Sequence, residues 1–166
     1  MIERMEVSRA IAATPSEIFS LLTEPEGHVA IDSSGMLMSS SGERVRQVGD
    51  SFVVHMDREA LNDYPLGLYD VSVRIVTFAP DQEIAWVIEG RWNLGHVYGY
   101  RLAPIEDGSL VTSYYDWSVI EQSWRDANIF PVIPEGTLRA TLGILARTVA
   151  PGRPRPLIDV GDDGTD

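Results

Sequence analysis

Three histidines and a few carboxylates are the groups in this 166-residue chain that could move protons. His96 shares strand parity with Tyr98 and Tyr100, so a strand there sets an imidazole beside two phenols. Such a set can give and take the proton of an enolisation or a dehydration; the alternative is a histidine at a strand end near solvent. Asp116 is the second candidate for a catalytic acid or base. Its segment is apolar on both parities, Val111, Tyr115, Trp117 and Val119 against Leu110, Thr112, Tyr114 and Asp116. With Trp117 inward, the expected register, Asp116 lies outside and can pair with an arginine. In the other register it is a buried carboxylate with a raised pKa.

The remaining candidates read more plainly. His28 and Asp32 lie four apart, which on a helix allows a dyad or two metal ligands. Against this, Asp32 precedes Ser33-Ser34-Gly35 and suits a turn, and neither HxH nor HExxH spacing occurs, so no metal site is expected. His55 and Asp57 alternate with Phe52, Val54 and Met56, and the apolar triplet inward puts both in water. No G-x-S-x-G elbow and no Gly-rich nucleotide loop is present, and no cofactor is expected.

Composition removes further chemistry. All thirteen basic residues are arginine, and there is neither lysine nor cysteine, which excludes Schiff bases, thiolate nucleophiles, zinc-thiolate sites and disulfides. A net charge of -12 with scattered arginines disfavours nucleic acid and anionic membrane as partners. No apolar run approaches membrane-spanning or signal length, so neither membrane insertion nor export is expected, and the prediction is a soluble, cytoplasmic protein.

The elements that position these groups follow from patterning. Met5 to Ala12 alternates as a strand, with Arg9 the exception on its apolar face. Thr14-Pro15-Ser16-Glu17 is a capping box that opens a helix ending near Pro25, and Glu26 to Ile31 makes a second short helix. Strands are predicted over Met36 to Ser39, Arg44 to Asp57 with a kink at Gly49-Asp50, Leu68 to Phe78, Glu83 to Arg91, His96 to Ile105 and Leu110 to Val119. Tyr69, Val71, Val73 and Ile75 share one face, as do Ile84, Trp86 and Ile88. After a proline-bounded segment, Phe130 to Pro134, residues Glu135 to Val149 form an amphipathic helix with Leu138, Leu142, Leu145 and Val149 in one stripe. Residues 1–150 make one domain, and the Pro/Gly/Asp-rich residues 151–166 are expected to be a mobile tail.

This order is α+β: a curved antiparallel sheet of about seven strands wrapped around one long C-terminal helix, with two short helices after the first strand. With Val7-Ser8-Arg9-Ala10-Ile11, Thr14-Pro15-Ser16-Glu17-Ile18-Phe19, His28 to Gly35 and Tyr115-Asp116-Trp117-Ser118, the chain resembles the SRPBCC superfamily, over about residues 3 to 150. That superfamily has the helix-grip fold of START-like lipid-transfer domains, the birch-pollen allergen class and aromatic polyketide cyclases. Within it the likeness is greatest to bacterial proteins of the polyketide cyclase/dehydrase-like type.

The resemblance implies a hydrophobic cavity between sheet and helix, and a small hydrophobic, ring-containing molecule as partner. Tyr69, Trp86, Tyr98, Tyr100, Trp117, Leu138, Leu142 and Leu145 are the expected lining, although any one of these aromatics can equally be plain core. A cofactor-free cyclase or dehydratase using His96 and Asp116 is the alternative to a binding protein. A chaperone-activator-type interaction module is a third reading, and a homodimer is compatible with all of them.

Overall fold

Thr14 starts the helical part of the fold as the capping box predicts. Its hydroxyl accepts from the Glu17 N–H at 3.2 Å, the Glu17 carboxylate accepts from the Thr14 N–H at 3.0 Å, and Pro15 fills the first helical position. In the computed structural model, which describes residues 2–158, this helix is α1 (Pro15–Thr23), preceded by β1 (Arg4–Ile11) and followed by α2 (Pro25–Ile31). A meander follows: β2 (Leu37–Ser41), β3 (Ser51–Asp57), β4 (Leu68–Ala79), β5 (Glu83–Glu89), β6 (Val97–Ile105) and β7 (Gly108–Asp116). The short α3 (Gln122–Asp126) and the long α4 (Glu135–Val149) close the chain.

All seven strands form one antiparallel sheet in the order β1-β7-β6-β5-β4-β3-β2, so the first strand pairs with the last and β2 is a free edge. The inner face carries the core: Val7, Phe52, Val54, Val73, Ile75, Ile84, Trp86, Tyr100, Val111 and Tyr115 are all buried, with Leu138, Leu142 and Leu145 of α4 against them. Because strand side chains alternate, the opposite parity lies on the outer face. The fold class is therefore the α+β, helix-on-sheet arrangement expected from the pattern.

Two boundaries differ from the pattern by three residues or more. The expected strand from Arg44 is a strand only from Ser51, because Val45 donates to Thr23 O at 3.0 Å while Gly49 and Asp50 exchange backbone bonds of 2.9 Å with Ile75. The backbone crosses from α1 to the middle of β4, and Gly49, at φ 94°, supplies the bend. The expected strand to Val119 stops at Asp116, whose Oδ1 accepts from the Ser118 N–H at 2.9 Å and the Ser118 hydroxyl at 2.6 Å. That turn ends the ladder. The helix α3 was not foreseen in the pattern at all.

Arg9 occupies the exceptional inner position on β1, where its Nε is buried without a hydrogen-bond partner and the guanidinium reaches Gly143 of α4. Of the expected tail, residues 159–166 lie outside the described residues. Before them, Arg153 donates to Ala12 O at 3.1 Å and Pro156 is buried. No helix among the described residues is long and apolar enough to cross a membrane.

Candidate functional site

Strand register builds a row of rings across the inner face. Trp86 on β5 stands opposite Tyr98 on β6, and Tyr98 stands opposite Tyr115 on β7, so three large aromatics on adjacent strands meet directly. The Tyr98 and Tyr115 rings stack at 4.5 Å and 23°, and Trp86 stacks on Tyr98 at 6.3 Å and 19°. Trp117, just beyond β7, extends the row from Tyr115 at 5.1 Å. Tyr100 sits beside Trp86 at 5.8 Å.

His96, the residue before β6, closes this row at one end. It is 5% exposed, packs edge-on against Tyr98, Tyr115 and Phe130, and its Nδ1 lies 2.7 Å from the Tyr115 hydroxyl. Burial pushes its pKa down to about 4, so the ring is neutral at pH 7. Burial likewise raises the Tyr98, Tyr100 and Tyr115 hydroxyls above the ordinary phenol value. His28 closes the other side: it donates from Nε2 to Leu22 O at 2.7 Å and packs on Trp86 at 4.8 Å and Phe52 at 5.0 Å. Burial, partly offset by that bond, takes its pKa down to about 4. Both histidines of the aromatic wall are therefore neutral at pH 7, and each has one hydrogen-bond partner.

Asp116 does not join it. It lies on the outer face, where Arg4 donates to Oδ2 at 2.9 Å. Burial pushes its carboxyl up, but the bonds from Ser118 and Arg4 outweigh that and hold it below the usual carboxylate value. The structure thus places His96 and Asp116 on opposite sides of the sheet, and the two cannot share one substrate. Asp32 turns the chain, accepting from Ser34 and from the Leu37 N–H, and makes no dyad with His28. His55 and Asp57 project from the outer face of β3.

Leu138, Leu142 and Leu145 belong to the same core as Trp86, Tyr100, Tyr115 and Trp117. Tyr69, at the start of β4, is only half-buried and marks the rim. Pattern reading missed Arg58 there, which forks onto Asp63 at 2.8 and 2.7 Å and covers the Tyr64 ring at 5.3 Å. Its Arg-x4-Asp spacing in a loop was the available signal. Arg58 holds the Asp63 carboxyl down at about 2. The segment from Pro131 to Pro134 beside Trp124 and Phe130, which sequence alone allowed as either a lid or a dimer contact, packs on this core through Phe130, Val132 and Ile133. Among the described residues no three carboxylates or imidazoles are grouped to hold a metal.

Two concavities open on the surface, and neither is the space between sheet and α4. One, of about 680 Å³, lies over α1 and α2 and is lined by Glu17, Leu21, Glu24, Gly27 and Arg44. The other, of about 350 Å³, lies on the outer face around Glu83, Arg101 and Thr112. Beneath α4 the space is filled by side chains, Tyr115, Ile75, Ile84, Leu142 and Leu145 each less than 2% exposed.

No protein-family profile and no curated protein matches the chain. Solved structures do. A protein from Chromobacterium violaceum superposes with a TM-score of 0.63 at 15% identity, over 90% of this chain and 98% of that one. A protein from Rhodobacter sphaeroides gives 0.62 at 18% identity, over 91% and 94% of the two chains. The Aha1 dimer from Colwellia psychrerythraea gives 0.56 at 16% identity, over 92% and 100%. At such identities the likeness is one of fold, and it covers nine-tenths of the chain: the protein shares the architecture of these structures, one antiparallel sheet gripping a C-terminal helix.

Proposed function

We propose that the chain is a ligand-binding member of the SRPBCC superfamily. It holds a small hydrophobic, ring-bearing molecule at the end of the aromatic row where His96, Tyr98, Tyr115 and Trp117 meet Phe130, in space opened when the segment over that end moves aside. The observation that carries this reading is the His96–Tyr115 pair, a 2.7 Å polar contact inside an aromatic wall. A core built for packing alone gains little from burying an imidazole and a phenol whose mutual bond only offsets their lost hydration. A pocket uses such a pair to orient a ring substituent. The connection carrying Phe130, Val132 and Ile133 covers this end without a helix or strand of its own, so entry is by its displacement.

The cyclase or dehydratase reading is weaker. It rests on His96 alone, with Asp116 on the other face, and an imidazole with a pKa near 4 is a poor general base at neutral pH. The test is native mass spectrometry of the freshly purified full chain, followed by denaturing extraction. A small ring-bearing mass that leaves on denaturation is the expected result. An empty protein whose tryptophan fluorescence is also unmoved by added naphthols and aromatic polyketones overturns the reading. As a second arm, Trp86→Ala is expected to weaken ligand binding about tenfold, some 1.4 kcal/mol, while the protein stays folded. Unfolding with affinity retained in the folded fraction reassigns Trp86 to plain packing.

A further inference from the structure

The outer face of the sheet holds a second histidine constellation, far from the aromatic wall. His55 stands directly opposite Asp70 across β3 and β4, and its Nδ1 lies 2.7 Å from Asp70 Oδ1. Ser41 on β2 pairs with Val53, two residues from His55, so the serine and the imidazole are diagonal neighbours. The Ser41 Oγ lies 2.8 Å from His55 Nε2. A β-bulge between Leu37 and Ser39 shifts the register of β2 just before this point.

A carboxylate accepts, so the bond to Asp70 is made by a proton on His55 Nδ1; in the tautomer that leaves Nε2 bare, the ring accepts from the Ser41 O–H. This is the order of groups in a nucleophilic serine relay: a carboxylate that sets the tautomer, an imidazole that takes the proton, and a hydroxyl that attacks. The His55 side chain is 38% exposed and Asp70 is 63% exposed, and Ser41 on the edge strand β2 is itself exposed, so a substrate can reach it. We propose that Ser41, His55 and Asp70 form an acyl-transfer site that hydrolyses small activated esters.

Ser41 Oγ bonds to the acyl carbon as its proton passes to His55 Nε2. Collapse of the tetrahedral adduct breaks the bond to the aryl oxygen, which leaves with that proton as a phenol. Water then attacks the acyl-serine, gives a proton to His55 Nε2, and releases the carboxylic acid as Ser41 recovers its hydrogen. The face is open, so water meets the oxyanion, and this restricts the substrates to esters with good leaving groups such as aryl acetates. Asp70 is a positioning residue, and Ser41 and His55 are the catalytic ones.

The experiment uses the full chain with p-nitrophenyl acetate and, separately, diisopropyl fluorophosphate with peptide mapping. The expected result is a covalent phosphoryl adduct on Ser41. Ester hydrolysis is expected to fall about tenfold or more in both Ser41→Ala and His55→Gln, with circular dichroism unchanged. Asp70→Asn is expected to slow Ser41 labelling, and Asp70→Glu to restore part of it, which a merely structural role does not produce. Hydrolysis that survives Ser41→Ala but is lost in His55→Gln identifies the imidazole as the nucleophile and overturns the proposal. An unlabelled Ser41 overturns it as well.

Discussion

Tyr114 and Tyr115 are consecutive on β7, and the two faces of the sheet hold them by different physics. Tyr115 points inward, is fully buried, and touches aromatic rings and the neutral His96. Tyr114 points outward, with the Arg4 and Arg101 guanidinium groups over its ring at 4.3 and 5.2 Å, and its hydroxyl donates to Glu83 at 2.6 Å. It is almost as buried as its neighbour, because arginine stems cover apolar surface while their heads stay wet. Equal burial thus conceals unlike environments: the aromatic row around Tyr115 excludes charge, whereas the outer face around Tyr114 pairs it. The arginine–carboxylate chain from Asp116 through Arg4 and Glu6 to Arg101 frames Tyr114.

The largest effect that separates the two faces is truncation. Tyr115→Ala removes a fully buried ring from the aromatic row and is expected to cost about 3–5 kcal/mol in urea unfolding. Tyr114→Ala is expected to cost clearly less, since water and the freed arginines refill the gap. Equal losses would remove the distinction between packed and charge-covered faces.

Acid titration tests the inner face by a different route. His28 and His96 have folded-state pKa values of about 4, against an ordinary 6.5. As the pH falls below 6.5 the unfolded chain binds protons that the folded chain refuses, so stability is full above 6.5 and is lost down to about pH 4. Each histidine contributes on the order of 3 kcal/mol to this slope. Replacing His28 with a non-titrating residue is expected to shallow the slope between pH 6.5 and 4 in denaturant melts, even though the variant starts less stable. The outer carboxylates Glu6 and Asp116, both held below their ordinary values, lose their contribution only at lower pH. A stability curve flat from pH 7 to 4.5 would show that the buried imidazoles protonate freely, against the closed packing described above.

Gly99 sharpens the outer side of the comparison. A Cβ at that position would stand 2.3 Å from the Tyr114 ring, so the ring lies flat on the glycine. Gly99→Ala is expected to displace the ring, break its bond to Glu83 and cost about 1–3 kcal/mol. In a Tyr114→Ala background the same change should cost nearly nothing, because the clashing atoms are gone. Undiminished cost in the double variant would place the strain in the β6 backbone instead.

What the sequence made legible was local. The capping box at Thr14, the alternation from Tyr69 to Ile75 and the stripe of Leu138, Leu142 and Leu145 are each written within one element, and each could be read without partners. The route of Arg44 to Asp50 could not, because it is decided by backbone bonds to Thr23 and Ile75 on other elements. The same holds for the candidate site. His96 beside Tyr98 was readable from parity, but its contact with Tyr115 depends on β6–β7 register, and His28 against Trp86 depends on how α2 lies on the sheet. The cavity implied by resemblance is a property of the distance between α4 and the sheet, which no pattern of residue types encodes. The Ser41–His55–Asp70 relay spans three strands and is invisible until their register is known.

Asp116 gives the smallest expected effect and the most direct test of which face β7 turns outward there. Its two parities were both apolar in sequence, and the structure resolves them by pairing Asp116 with Arg4 at 2.9 Å while Trp117 packs inward. The pair is partly solvated, with 36% and 22% of the two side chains exposed, so its Coulomb energy is screened by water and salt. Asp116→Asn keeps an oxygen acceptor for Ser118 and loses the charge together with the Oδ2 acceptor that Arg4 uses. It is expected to shift stability by less than about 1 kcal/mol, to do so less at high salt, and to leave ligand binding unchanged. A larger, salt-insensitive loss accompanied by altered binding would mean that this carboxylate reaches the interior, and with it the assignment of the two faces of β7 would reverse.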